Sequence, residues 1–296
     1  MLSSILRREI SKNPLWAPHL KAVQAFKIYL ETTADMDFRI TGLSEYEGDL
    51  NVVTRTIPYI HRWNELYKKK VLGKFYALED YAKINPFDAL TMLTLTTHHA
   101  YYESGRRSAH SNATIPQSFK LLKQGWHKLS DAIRKRGYSY VWILEPHRTG
   151  YPHIHVAIIG RVDEKDQKRI KTLWTRYGGG SFEHGAHFSE KSGEDSILSI
   201  RNYLMKYMIK SWADSKWTTA QLVFNALVWD NNWRMWGASK KLSKIMKSYD
   251  PEKTDIEWQK TEIKTSCYSD HSVTWKKEDT DIKPLEQNPD EILYTL

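Results

Sequence analysis

Trp142-Ile-Leu-Glu145-Pro-His-Arg-Thr-Gly150-Tyr-Pro-His153-Ile-His155-Val-Ala-Ile-Ile159 is the stretch from which the fold is read. Tyr138 to Leu144 is β-branched and aromatic, which suits a strand. Arg148-Thr-Gly150 carries turn chemistry, and Pro152 fits the first position of a strand, where its missing N–H costs little. His153 to Ile159 then reads as a second strand, so the segment predicts a hairpin. Side chains alternate along a strand, which puts His153 and His155 on one face. Glu145, near the end of the partner strand, faces them across the hairpin. Two imidazoles and a carboxylate on one face make a three-ligand metal site with positions open for a substrate phosphate. Histidines paired on a half-exposed strand can also be merely structural, so a second constellation is needed.

That constellation is Ser199-Ile-Arg-Asn-Tyr203-Leu-Met-Lys206-Tyr207-Met-Ile-Lys210. It holds no Gly or Pro, and it reads as part of a helix over Ser196 to Ala213. Tyr203 and Tyr207 stand four apart, hence on one face, and each has a lysine three residues on. Ile200, Tyr203, Leu204, Tyr207 and Met208 also fit a core stripe. Beside a metal site, the pair acquires a chemical role. A tyrosinate can attack a phosphodiester while lysine offsets the developing charge.

Working outward from these two segments, the chain resembles the rolling-circle replication initiators of the HUH endonuclease superfamily, where U is an apolar residue. The similarity is to the two-tyrosine branch that includes phage gene A proteins and archaeal plasmid and virus Rep proteins. Residues 145–155 resemble its Glu-Pro-His-x-x-Gly-x-Pro-His-x-His pattern. Residues 203–210 resemble Tyr-x-x-Lys-Tyr-x-x-Lys, and Leu93-Thr-Leu-Thr96 resembles its apolar-Thr strand. Three motifs in family order, over roughly residues 88–245, are far more specific than any one. The resemblance implies Mg2+ or Mn2+ held by His153, His155 and Glu145. It implies nicking and rejoining of single-stranded origin DNA through a 5′-phosphotyrosine on Tyr203 or Tyr207, with Lys206 and Lys210 positioning phosphate. Rejoining then needs no ATP. Trp233 to Leu242 resembles a segment that follows the tyrosine helix in relatives, and Arg234, Lys240 and Lys241 are its candidate DNA contacts. Alternatives on the same fold are an HUH transposase or relaxase, or a non-catalytic DNA-binding protein. A two-histidine phosphoesterase needs two H-x-[Ser/Thr] motifs; His187-Phe-Ser189 fits one and His153-Ile-His155 does not.

The remaining pattern predicts an α+β fold, with an antiparallel ferredoxin-like, RRM-like sheet of about five strands. The histidine motif lies on a central strand and helices back the sheet. Asp88 to Thr97 is a Thr-rich strand expected beside the histidine strand, with His98 and His99 at its end as alternative metal ligands. Pro116 to Arg136 is an amphipathic helix with Phe119, Leu122, Trp126, Leu129 and Ile133 on one side. Asp163 to Tyr177 is a second helix, Glu183 to Ser189 a short strand and Thr218 to Trp229 a further helix. From residue 88 the order is the split β-α-β pattern. The fifth strand is expected from the N-terminal region.

Residues 1–87 read as a mainly helical N-terminal region, with long stretches over Ala17 to Thr32 and Thr54 to Lys83. Residues 88–250 form the endonuclease domain. Residues 251–296 hold 6 Lys/Arg against 11 Asp/Glu, net −5. The whole chain is +9, so residues 1–250 carry +14. The tail therefore reads as acidic, exposed and partly disordered, and the body as a partner for a polyanion. Twelve Trp and seventeen Tyr supply possible stacking surfaces for unpaired bases. One cysteine, Cys267, excludes a disulfide framework and a cysteine-rich zinc module. There is no membrane-spanning run or secretory signal, so the expected setting is the cytoplasm of a host cell, on DNA. There is also no Gly-x-x-x-x-Gly-Lys-[Ser/Thr], so unwinding is expected from a separate helicase.

Overall fold

The computed structural model describes residues 2–34, 36–46, 49–84, 89–97, 102–103, 106–107, 113–192, 217–247, 261–265 and 273–275. The tyrosine helix, with Tyr203, Lys206, Tyr207 and Lys210, lies outside the described residues, as do His98 and His99. Two compact units divide the chain. One takes residues 1–27 and 71–249, the other residues 28–70 and 250–296.

The first unit is built on a five-stranded antiparallel sheet. Its strands are β3 (Ala89–Thr96), β6 (Ser139–Pro146), β7 (Pro152–Ile159), β8 (Ala186–Ser192) and β9 (Trp236–Ala238), in the spatial order β8-β3-β7-β6-β9. After β3 in the chain, β4 (Tyr102–Glu103) and β5 (Arg106–Arg107) pair only with each other. The first four strands of the sheet follow the ferredoxin-like order, and the histidine strand β7 is the central one. All the pairings are antiparallel. Alternation sorts the side chains onto two faces. One face carries the rows Leu144–Ile154–Leu95–Ala186 and Trp142–Val156–Leu93–Phe188. Helix α4 (Ile115–Lys135) covers it: the Trp126 ring lies 5.4 Å from Tyr140 and 5.8 Å from Trp142. Leu93 and Val156 are fully buried, and burying such a side chain contributes roughly 1.5–3 kcal/mol.

Helix α4 forms where expected. Thr114 and Gln117 make a capping box at its start, and Phe119, Leu122, Trp126, Leu129 and Ile133 are all buried. Helix α5 (Glu164–Tyr177) starts at Asp163, whose side chain accepts from the Asp166 N–H. Helix α6 (Thr219–Asp230), capped by Thr218, has seven apolar residues buried, among them Phe224 and Leu227.

Three expectations are corrected here. The fifth strand comes not from the N-terminal region but from Trp236–Ala238, which pairs with Val141–Ile143 on the β6 edge. The strand expected at Glu183 begins instead at Ala186, because Ser181 O accepts from Gly185 N and closes a turn first. Thr54 to Lys83 is not one helical stretch: strands β1 (Asp37–Tyr46) and β2 (Asp49–Pro58) form a hairpin, and helix α3 (Glu65–Ile84) starts only after Asn64. Val52, Val53, Thr54, Thr56 and Ile57 are β-branched, which favours the strand. The Asn64 side chain accepts from Tyr67 N and sets the helix start.

The hairpin belongs to the second unit, where its sheet runs β11-β10-β1-β2. Strands β10 (Thr261–Thr265) and β11 (Val273–Trp275) come from the acidic C-terminal segment, which charge alone reads as a tail. Two shorter helices, α1 (Ser4–Lys12) and α2 (Leu20–Thr33), occupy the N-terminal end of the sequence.

Candidate metal centre

Register alone places the three candidate ligands. Glu145 is the direct cross-strand partner of His153, and Ile143 that of His155. Directly opposed residues share a face, so Glu145, His153 and His155 project from the side of the sheet opposite α4. On the other flank of β7, Thr96 pairs with His153 and Thr94 with His155. The site is thus a patch two residues deep across three strands.

The distances agree with that register. His155 Nε2 lies 2.8 Å from Glu145 Oε2, and the rings of His153 and His155 are 5.2 Å apart, nearly perpendicular. One ligand atom from each of Glu145, His153 and His155 lies within 4.8 Å of the other two, which would allow them to hold a metal ion. Two ligands at 2.0–2.1 Å from an octahedral ion stand about 3 Å apart, so the donor set and its spacing fit a small divalent cation. Glu145 is 8% exposed and His155 6%, and a carboxylate buried to that degree needs a partner. His155 supplies one here.

Thr94, read from the sequence as part of a structural strand, has a further role. Its Oγ1 lies 3.1 Å from His155 Nδ1. That contact fixes the ring and leaves Nε2 as the nitrogen turned toward Glu145. A hydroxyl both donates and accepts, so Thr94 suits either tautomer of His155. A polar neighbour on the second nitrogen is what orients a metal-binding histidine.

The turn between the strands is held from several sides. His147 N donates to Tyr151 O, and Gly150 N to His147 O. Gly150 has φ +88°, a conformation that favours glycine. The fully buried Tyr151 donates its hydroxyl to Ala113 O at 2.8 Å. The Trp16 indole N–H donates to Thr149 O at 2.9 Å, tying the N-terminal segment to the turn. His147 Nδ1 lies 3.2 Å from Thr149 Oγ1, and its ring meets His153 edge-on at 5.7 Å. Neither Trp16 nor Thr94 carried a sequence signal for these roles, because each meets its partner only through the fold.

The candidate DNA contacts fall on the other edge. Arg234, Lys240 and Lys241 are exposed, the first just before β9 and the others opening helix α7 (Lys240–Lys247). Lys244 and Lys247 are exposed on the same helix, while Leu242 and Met246 are buried. Ser239 anchors that helix to β6: its N–H donates to Tyr140 O, and its hydroxyl accepts from Tyr140 N.

Residues 90–212 match the family model described as Replication-associated protein ORF2/gene 2 protein. The match covers the Thr-rich strand, the histidine hairpin and the tyrosine segment together, and it supports a Rep-type initiator, as the motifs had indicated. No curated protein matches. One solved structure with some similarity is the N-terminal nuclease domain of non-structural protein 1 from minute virus of mice. That protein is described as having a unique Zn2+ coordination in its active-site pocket and a novel mode of DNA recognition at the origin of replication. Identity is 12%, over 81% of this chain and 77% of the other, and the TM-score is 0.18. So shallow a superposition says nothing about this chain.

Proposed function

We propose that this chain is a replication initiator that nicks and rejoins single-stranded DNA at an origin, starting and ending rolling-circle replication. The observation that carries the reading is the Glu145, His153 and His155 cluster on the central hairpin, with Thr94 behind His155. The replication-associated family match over residues 90–212 supports it.

The endonuclease work is assigned to residues 88–250. A divalent cation, Mg2+ or Mn2+, held by Glu145, His153 and His155 would supply Lewis-acid polarisation of a phosphate oxygen. The nucleophile is Tyr203 or Tyr207. Its hydroxyl loses a proton to solvent, and the oxygen bonds to phosphorus. The bond from phosphorus to the 3′ oxygen breaks, and that oxygen leaves as a hydroxyl after taking up a proton. The 5′ phosphate stays on the tyrosine. Bond energy is thereby kept, so the reverse attack rejoins the strand without ATP. Lys206 and Lys210 offset charge on the phosphate, and the second tyrosine cuts the regenerated site after a round. Arg234, Lys240 and Lys241 bind flanking phosphates, and a separate helicase unwinds the duplex.

The test uses single-stranded oligonucleotides tiling the DNA that flanks the coding sequence. Tyr203→Phe and Tyr207→Phe are each expected to leave some covalent 5′-DNA adduct on a denaturing gel, the double variant none. His153→Ala is expected to abolish the adduct. Full nicking in EDTA, or an adduct surviving in the double tyrosine variant, would overturn the reading.

A further inference from the structure

Helix α5 and strand β8 are joined by Gly178-Gly-Gly180-Ser-Phe-Glu-His-Gly185, and this loop is tied to the same end of the sheet as the metal ligands. The anchor is Thr96, the cross-strand partner of His153. Thr96 N donates to Gly185 O at 2.8 Å, and its hydroxyl donates to His184 O at 3.2 Å. The fully buried Trp174 donates its indole N–H to Thr96 O at 2.7 Å. A Cβ on Gly180 would lie 2.5 Å from that indole nitrogen, so only glycine lets the loop close over Trp174. The loop is therefore a fixed ledge beside the His153 end of the central strand.

On and beside this ledge the side chains are not those of an ordinary solvated loop. Phe182 is 44% exposed and Tyr177 36%. Lys171 Nζ stands 6.0 Å from the Phe182 ring centre, and the Arg176 guanidinium carbon 5.2 Å from that of Tyr177. The acidic side chain in the loop, Glu183, lies 3.8 Å from His184. His187, exposed on β8, falls in the same cross-strand row as Thr94 and His155. Exposed rings, each beside a cation, at the edge of a candidate phosphodiester site, match what an unpaired nucleic acid strand needs. Its bases stack on aromatic rings while its phosphates meet positive charge. The +14 charge of residues 1–250 favours the same polyanion.

We infer that Tyr177 and Phe182, flanked by Arg176 and Lys171, form a stacking platform for bases of the single strand that enters the Glu145–His153–His155 centre. This rests on the proposed function. The platform reads no sequence; it holds the strand extended so that one phosphate lies at the ligands. A protein partner is disfavoured because it would have to cover Arg176 and Lys171 together with the rings, leaving their charges uncompensated.

The experiment is fluorescence anisotropy of a fluorescein-labelled oligothymidylate in EDTA, so that binding is read without cleavage. Phe182→Leu and Tyr177→Leu keep apolar bulk but remove the ring, and each is expected to weaken binding roughly 5- to 150-fold. Phe182→Trp keeps a ring and should bind as tightly as the parent, which separates stacking from damage to the fold. On an abasic strand of the same length the parent weakens, and Phe182→Leu then causes no further loss. Parent-like binding by both leucine variants, or equal losses on the normal and abasic strands, overturns the platform. A parent that shows this pattern yet forms no covalent adduct refutes the proposed nicking and leaves the platform standing.

Discussion

Replacing Thr94 with valine isolates the contact behind the metal ligands. Valine keeps the β-branched shape and the strand preference while deleting one hydroxyl. The hydroxyl sits 3.1 Å from Nδ1 of a histidine that is only 6% exposed. Leaving that nitrogen without its partner costs about 1–3 kcal/mol of stability. The larger effect is on the ligand set. Without Thr94 the His155 ring is no longer fixed by a bond on its second nitrogen, and loss of such a contact typically lowers metal affinity 10- to 100-fold. At 1.4 kcal/mol per tenfold, that is about 1.4–2.8 kcal/mol. Thr94→Ser restores an oxygen at nearly the same place and should recover most of the affinity. Isothermal titration with Mn2+, alongside thermal denaturation of each variant, reads both quantities. If Thr94→Val binds Mn2+ as well as the parent, or if serine loses as much as valine, His155 is not oriented through Thr94 and the reasoning fails.

Three further outcomes are expected. Trp16→Phe keeps the ring but removes the donor to Thr149 O; it should cost about 0.5–1.5 kcal/mol in denaturant unfolding, and no change would show that the N-terminal segment does not brace the turn. Gly150→Ala forces φ +88° on a residue with a Cβ and places that Cβ 3.4 Å from Ala220 O; a loss of about 1–2 kcal/mol is expected, and an unaltered melting temperature would refute the strain. Burial holds the hydroxyls of Tyr29, Tyr140 and Tyr151 above their ordinary 10.0. A raised acid contributes stability that is present below the unfolded value and lost above it, so unfolding free energy should fall as pH rises past about 10. Tyr151→Phe should flatten that alkaline fall; an equal slope in the variant would count against burial as the cause.

Much of the site was legible because its signals are local. His153 and His155 share a face through the two-residue period of a strand. Gly150 and Pro152 mark the turn, and Glu145 lies within reach across it. Helices α4 and α5 announced themselves by caps and, for α4, by an apolar stripe at helical spacing. The hairpin β1–β2 was missed because charged and polar residues interrupt its β-branched run and because Asn64, which starts the following helix, was not recognised as a cap. The fifth strand was missed for a different reason. Trp236–Ala238 is three residues long, and three residues show no period at all.

The sequence by itself therefore determined the hairpin, its ligand types, their shared face and the order of the elements up to β8, since each depends on neighbours a few residues away. Only the tertiary structure decided which strand flanks the histidines and which segment completes the sheet. It also decided what stands behind His155 and what grips the turn. Thr94 and His155 are 61 residues apart, Trp16 and Thr149 are 133 apart, and Trp174 and Thr96 are 78 apart. Contacts over such separations are selected by how the whole core packs and by which backbone groups are left to satisfy, and neither can be read from a local pattern.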